Sequence, residues 1–343
     1  MIKIKNKTLL VFVGLMFVVT GSAFAGTDAA AFLKKSVGTK AIAMGGAFTS
    51  IADDTSAIYW NPAGLAKIQK YSLYAMGTTG ASDKYPGLKD VIPTHQFFAI
   101  SVPAEKLTSV LGKTVFGIGY ISSKMDNIQH TYLQGTNSIY RDTISNTDNA
   151  YYLSAGLPLW ESSTSLYVGA SLKYITYDFS DIGVSDSGFD FDAGVIYSIS
   201  SLNFGVMFQK GVKMGDDYAP MTTKFGVSNK FTFTDKLQLI GAVDLVQRQE
   251  EPLSGNLGLE FGIMDILDFD GFGIKGIFLR GGVEGYALEN RYDISVDYNE
   301  TASYNFGLGL DFNIMNTILQ LDIAICSGNI FDQNTKFAIN FYF

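Results

Sequence analysis

From residue 70 onward the chain alternates apolar and polar residues with a period of two. In the final segment Phe337, Ile339, Phe341 and Phe343 share one face, and Lys336, Ala338, Asn340 and Tyr342 share the other. One segment earlier Leu319, Leu321, Ile323 and Ile325 oppose Gln320, Asp322 and Ala324. Before that, Tyr304, Phe306, Leu308, Leu310 and Phe312 oppose Asn305, Gly307, Gly309 and Asp311. Successive side chains of a strand point to opposite faces, so each segment has a greasy stripe and a wetter one. This pattern predicts strands at 70–78, 94–102, 114–123, 149–157, 165–177, 188–197, 201–209, 222–231, 237–246, 255–263, 275–285, 302–312, 317–326 and 335–343. Their lengths, near ten residues, suit tilted strands that cross a bilayer.

Two further patterns fit. Pro62, Pro86, Pro93, Pro103, Pro158, Pro220 and Pro252 all fall outside these windows, as expected where every strand is paired on both sides. The connectors alternate, long after odd strands and often short after even ones, except that 103–113 and 264–274 are longer. Long loops on one side and tight turns on the other match a barrel with both ends periplasmic. Aromatics near strand ends, including Tyr71, Tyr151, Tyr152, Tyr167, Tyr177, Tyr197, Tyr304 and Phe343, suit interfacial girdles. The competing architecture is a pair of periplasmic β-sandwiches, which also alternate but have a buried apolar face. The strand count and the Gly- and Asn-rich polar faces favour the barrel.

The first 69 residues do not alternate. Lys3, Lys5 and Lys7 precede the apolar run 9–20, and Ala23-Phe24-Ala25 reads as a cleavage site, so residues 1–25 are expected to be a signal peptide. Residues 26–69 are rich in small residues. Gly45-Gly46 permits a tight backbone path. Asp53 or Asp54 is placed to cap a short helix, and Asn61 before Pro62 marks a helix start. Gly64 follows on that turn. A barrel of this size has a lumen that such a segment can plug; the alternative is a periplasmic arm on the barrel rim. The expected architecture is an all-β transmembrane antiparallel β-barrel over residues 70–343, with a partly helical N-terminal plug segment over 26–69.

Composition narrows the chemistry. The chain of 343 residues is 47% hydrophobic and 17% charged, and its net charge of −8 argues against nucleic acid as a partner. A lone Cys and two His leave little for thiol, metal or imidazole chemistry, so neither an enzyme nor a cofactor is expected. Cys326 lies on the inward register. Gly271 to Gly276 fits a dinucleotide fingerprint but stands in a connector leading into a strand, where a β-turn explains it better. Asp178, Asp181, Asp186, Asp190 and Asp192 could take calcium or form a solvated loop with inward-facing acids. The inward stripes place Lys173, Lys224, Lys230, Arg280 and Lys336 among Asp190, Asp192, Asp244, Glu260, Glu284, Asp311 and Asp322. Candidate lumen charge pairs are drawn from Arg280, Glu284, Lys173, Asp190 and Asp192; Arg280 and Glu284, four apart, share a face and could both reach the plug.

The run Gly38–Ala66 resembles the N-terminus of FadL-like outer-membrane proteins, and more narrowly of their PorV/PorQ branch. It carries a Gly38-x-Lys40-Ala41 opening, with Lys where Arg is common, then Met44-Gly45-Gly46-Ala47, Ala52-Asp53-Asp54 and Asn61-Pro62-Ala63-Gly64-Leu65. The resemblance implies a fourteen-stranded barrel with an N-terminal hatch, in the bacterial outer membrane after the signal peptide is removed. It implies passive transport of hydrophobic molecules such as long-chain fatty acids. Its narrower form implies an accessory of type IX secretion that binds exported protein. The expected partners are outer-membrane lipid and either a hydrophobic small molecule or an exported protein. The connector 124–148, with Met125, Ile128, Tyr132 and Leu133, is the candidate capture loop; packing of the loop onto itself is the other explanation for its apolar residues.

Overall fold

The computed structural model describes residues 30–79, 94–134, 137–211, 213–214, 217–219, 221–249, 251–288, 302–315, 317–327 and 335–343. The expected signal peptide at 1–25 lies outside them. Fourteen antiparallel strands close into one barrel: β1 (Ser72–Thr79), β2 (Thr94–Pro103), β3 (Val115–Gln134), β4 (Asn137–Glu161), β5 (Thr164–Phe179), β6 (Val184–Ile199), β7 (Leu202–Gln209), β10 (Thr222–Thr234), β11 (Leu237–Arg248), β12 (Ser254–Phe269), β13 (Phe272–Ala287), β14 (Ser303–Ile314), β15 (Thr317–Ser327) and β16 (Thr335–Tyr342). A small hairpin, β8 (Lys213–Met214) with β9 (Asp217–Tyr218), stands apart from the ring. Each ring strand pairs with the next ring strand along the chain, β7 with β10 across the small hairpin, and β1 pairs with β16 from Ser72↔Tyr342 to Thr79↔Thr335. The ring therefore has no open edge, which rules out the sandwich and meets the demand that backbone groups in hydrocarbon be paired internally.

The alternation becomes geometry. Leu257, Leu259 and Phe261 on β12 point outward and are exposed, while Asn256, Gly258 and Glu260 point inward and are buried. Tyr120, Tyr151, Tyr174 and Phe189 stand in register across β3 to β6 and form an outward ladder with ring centroids 5.1, 6.3 and 4.8 Å apart. At the other end, Trp160, Phe231, Phe233, Phe269 and Phe343 project outward. A continuous apolar wall between two aromatic rims is what lipid requires and water penalises. Three tyrosines assigned to the girdles belong elsewhere: Tyr152 is buried inside, and Tyr167 and Tyr177 pack on the interior cluster, because each sits on its strand's inward register.

The strand boundaries need three corrections. The expected connector 124–148 continues as paired β3 and β4 as far as Gln134↔Asn137. This ribbon rises beyond the outward aromatic ladder, where both faces meet water. The backbone keeps pairing there although the hydrophobic alternation has ended. The long connector expected at 264–274 shrinks to a turn between Phe269 and Phe272 for the same reason. Pro103 and Pro158 fall within strands rather than outside them. Pro103 ends β2, and Pro158 sits where the β4–β5 register shifts, a bulge that tolerates the missing N–H.

The membrane reading of the wall predicts a depth-dependent cost for charge on its outer face. Phe261 lies mid-wall between Leu239 and Leu279. Phe261→Arg is expected to destabilise the barrel by about 2–4 kcal/mol, and Phe269→Arg at the rim by only about 0–1 kcal/mol. Denaturant unfolding of both variants in lipid vesicles measures the difference.

Candidate functional site

Residues 30–68 run through the inside of the ring, and almost every residue from Ser36 to Leu65 is buried. The segment touches all fourteen strands of the ring. Thr39 and Thr55 meet Tyr74 and Ser72 of β1, and Thr55 also meets Ser101 of β2. Ile58 packs on Gly117 of β3, Pro62 on Gly156 of β4 and Gly169 of β5, and Asn61 on Gly194 of β6. Thr49 and Ser50 lie on Gly205 of β7 and Gly226 of β10, and Asp244 of β11 accepts from Phe48 N and Thr49 N at 3.1 and 2.9 Å. Met44 lies on Gly258 of β12, Gly45 on Gly282 of β13 and Ala43 on Gly307 of β14, and the helical turn Thr39–Ala43 packs on β15 and β16.

The inward glycines form a row that makes this fit. Gly156 pairs with Gly169, Gly169 with Gly194, Gly205 with Gly226, and Gly258 with Gly282 across neighbouring strands. At Gly169 an added Cβ would collide with the backbone of Pro62 and Ala63, and at Gly282 with Met44 and Gly45. Backbone atoms cannot rotate aside as a side-chain end can, so these contacts exclude any larger residue. Gly45 answers from the segment's side: it has φ +62, and a Cβ there would strike the backbone of Val283 and Leu257.

The segment's other motif residues hold its shape. Asn61 caps the 3₁₀ turn Pro62–Lys67 by accepting from Ala63 N at 3.2 Å. Its amide donates to Thr49 O at 2.8 Å and to Val195 O and Val206 O, both at 3.3 Å, joining segment to wall. Asn256 on β12 donates to Gly46 O at 3.2 Å. Asp54 accepts from Ser56 N at 2.8 Å and from Ser56 Oγ at 2.5 Å. Gly64 presses against Ala52 O. Asp53 does not cap; its carboxylate pairs with Lys40 Nζ at 2.9 Å.

The charges separate into two groups. Toward the end of the barrel away from β1's start, Lys173 lies 2.6 Å from Asp190 and 2.7 Å from Asp192, all three buried. Toward the end where the chain leaves the lumen for β1, Lys40 reaches Glu260 at 3.9 Å. Glu260 accepts from Arg280 Nε at 2.6 Å, and Arg280 also pairs with Asp322 on β15. Gly309 of β14 leaves the corridor through which Arg280 reaches Asp322, since a Cβ there would strike both. Arg280 and Glu284 do not both reach the segment. Arg280 sits opposite Glu260 in register and is held by wall carboxylates, whereas Glu284 accepts from Ser36 Oγ at 2.5 Å. Lys224, which the sequence marked only as inward, holds its ammonium 4.6 Å from the Trp60 ring centroid and 5.3 Å from that of Tyr59.

Between the segment and the wall lies a polar cavity of about 200 Å³ with Lys40, Lys230 and Arg280 facing Asp53, Asp54, Glu260, Asp311 and Asp322. Burial, helped by the charge of Asp53, pushes the Asp54 carboxyl up to about 6. Of the expected capture residues, Met125 and Ile128 are half-buried and Tyr132 is exposed on β3, and position 133 belongs to the same strand. They lie on the ribbon, apart from the lumen residues. The acidic run divides: Asp190 and Asp192 serve Lys173, and Asp181 accepts from Ser145 N at 2.7 Å. Among the described residues no group of three or more His, Cys, Asp or Glu is placed to hold a metal.

Comparison with known proteins places the fold. No family model matches the chain, and no curated protein matches it. Solved structures do. The toluene transporter TodX of Pseudomonas putida aligns over 93% of this chain and 98% of its own, with TM-score 0.56 and 13% identity. The toluene transporter TbuX of Ralstonia pickettii aligns over 89% and 96%, with TM-score 0.55 and 13% identity. The monoaromatic hydrocarbon channel CymD aligns over 89% and 96%, with TM-score 0.53 and 12% identity. The chain has the fold of these barrels over nearly their whole length.

Two outcomes follow from the seating of the segment. Gly169→Val is expected to expel residues 30–68 while the barrel stays closed, making the segment cleavable by protease in detergent. Asp54 has a folded pKa above its unfolded one, so its ionised form opposes the fold above about pH 6, and this penalty fades as pH falls toward 4. Protease protection of the segment should therefore rise between pH 7 and pH 5, and Asp54→Asn should flatten that part of the rise.

Proposed function

We propose that the protein is a FadL-like outer-membrane barrel that lets hydrophobic small molecules diffuse across the outer membrane. One observation carries the reading: a closed fourteen-stranded barrel with an apolar outer wall holds its own N-terminal segment against every strand. The shared fold with toluene and monoaromatic hydrocarbon channels supports the substrate class. Residues 1–25 act as an export signal, residues 26–69 as the plug and residues 70–343 as the pore wall. Both chain ends face the periplasm, and the β3–β4 ribbon projects outside the cell. Met125, Ile128 and Tyr132 on that ribbon give an arriving apolar molecule its first contact. Gly45, Gly46, Asp53, Asp54, Asn61, Pro62 and Gly64 keep the plug compact, and its displacement opens the path. Passage is diffusive and involves no catalysis.

The reading belongs to the FadL-like group as a whole. The PorV/PorQ resemblance of Gly38–Ala66 makes cargo binding in type IX secretion the competing role. Uptake of labelled toluene and oleate by cells whose outer membrane lacks related channels separates the two. Cells carrying the protein are expected to take up at least one probe several-fold faster than cells without it. Unchanged uptake of both, with an exported protein co-purifying with the barrel, would overturn transport in favour of secretion.

A further inference from the structure

On the outer face of β2 to β6 two rows of side chains run side by side. The first extends the aromatic ladder by one strand: Phe98, Tyr120, Tyr151, Tyr174 and Phe189 face one another in register. The second lies two positions nearer the ribbon end of each strand: Gln96, Ser122, Asn149, Thr176 and Ser187, again in register. All five carry an amide or a hydroxyl, and none carries a charge. The rows are tied together. Tyr120 Oη donates to Asn149 Oδ1 at 2.8 Å, and Asn149 Nδ2 donates to Thr176 Oγ1 at 3.4 Å.

Both rows end at a groove. Beside Gln96 and Phe98 a depression of about 610 Å³ opens in the outer wall across β1, β16, β15 and β14. Its lowest points are Ala75 and Gly77, small outward residues of β1 that stand between larger neighbours. Ala75 lies between Phe98 and Ile339, and Gly77 between Gln96 and Phe337. A Cβ added to Gly77 would meet nothing within 4 Å. Leu308, Leu321 and Ile323 carry the groove onward. Asp322 also borders it but turns inward to Arg280, so Gln96 is the one polar side chain that faces out along it.

A groove sunk in a wall that meets hydrocarbon seats an acyl chain by packing, since lipid on both sides leaves no escape from water to gain. What stands beside it sets the headgroup. A phosphate calls for cations, and the next outward cation on β3, Lys124, is held by Asp126 at 3.0 Å. A sugar ring presents an apolar C–H face and a rim of hydroxyls. Aromatic rings beside amides and hydroxyls, which donate and accept at once, meet both needs. We infer that this surface binds a glycolipid of the outer leaflet, with one acyl chain in the Gly77 groove and its sugars over Gln96, Ser122, Tyr120 and Tyr151. The inference rests on the outer-membrane reading for its orientation and gives the outside of the barrel a specific partner.

The test is native mass spectrometry of the full-length barrel in detergent with added deep-rough lipopolysaccharide, which bears sugars, or phosphatidylglycerol, which bears none. Gly77→Leu, which fills the groove, is expected to lower lipopolysaccharide retention about tenfold. Gln96→Leu is expected to lower it about fivefold, the scale of one hydrogen bond. Gly241→Leu, at an outward position of β11 outside the groove where a Cβ would meet only Leu259 at 3.6 Å, should match wild type. Phosphatidylglycerol should be held weakly by every form. Retention unchanged in either groove variant, or phosphatidylglycerol held as tightly as lipopolysaccharide, would overturn the site while leaving the barrel and its transport role standing. A protein that stays monodisperse without detergent would overturn the membrane reading and the site together.

Discussion

The structure depends on backbone meeting backbone inside the barrel. A ring of fourteen strands encloses more space than its own side chains need fill, and here a folded chain segment occupies it. That segment can lie flat against the wall only where the wall has no side chains. Gly156, Gly169, Gly194, Gly205, Gly226, Gly258, Gly282 and Gly307 provide that clearance. On strands without such a glycine some inward positions are small, as at Ser72, Ser101, Ala242 and Ala324, beside large ones such as Tyr74 and Phe97. Close approach also lets wall groups serve the segment's orphan amides, as Asp244 does for Phe48 and Thr49.

Charge inside the barrel obeys the same economy of space. A buried ion is costly unless paired at short range. Lys173 is enclosed by two aspartates on the adjacent strand, so it is a wall fixture and not a tether. Arg280 is likewise held by Glu260 and Asp322, both wall residues. The segment reaches these clusters through Lys40 alone, at 3.9 Å from Glu260. Elsewhere it is held by the Lys34–Glu251 ion pair at 2.7 Å, by the wall carboxylates Asp244 and Glu284, and by Asn61, which joins three separate backbone stretches.

The outer surface follows a different rule. Between the aromatic ladder of Tyr120, Tyr151, Tyr174 and Phe189 and the opposite rim at Phe269 and Phe343, outward positions are apolar on strand after strand. Beyond the ladder β3 and β4 continue as a ribbon that carries polar contacts, such as His130 with Asp142 at 2.8 Å, beside apolar partners such as Ile128 opposite Ile144. The same pairing of backbone thus serves two solvents. The fold shared with TodX, TbuX and CymD, at 12 to 13% identity, shows how little particular side-chain identity this architecture needs.

All fourteen barrel strands and most of their inward and outward positions, Tyr152, Tyr167 and Tyr177 excepted, are legible in the sequence, because lipid on one side and a packed lumen on the other impose a period of two. The cap at Asn61-Pro62 is legible as well, since capping is local chemistry. The ends of β3 and β4 are not, because past the lipid both faces are wet and alternation ceases while pairing goes on. Nor are the partners of Arg280: its nearest carboxylates in the fold, Glu260 and Asp322, are 20 and 42 residues away in the chain, and register alone brings them together. The inward glycines are visible in the sequence as gaps in a polar stripe. That those gaps receive the segment's backbone is decided only when the ring closes, because proximity across a barrel depends on all fourteen registers at once.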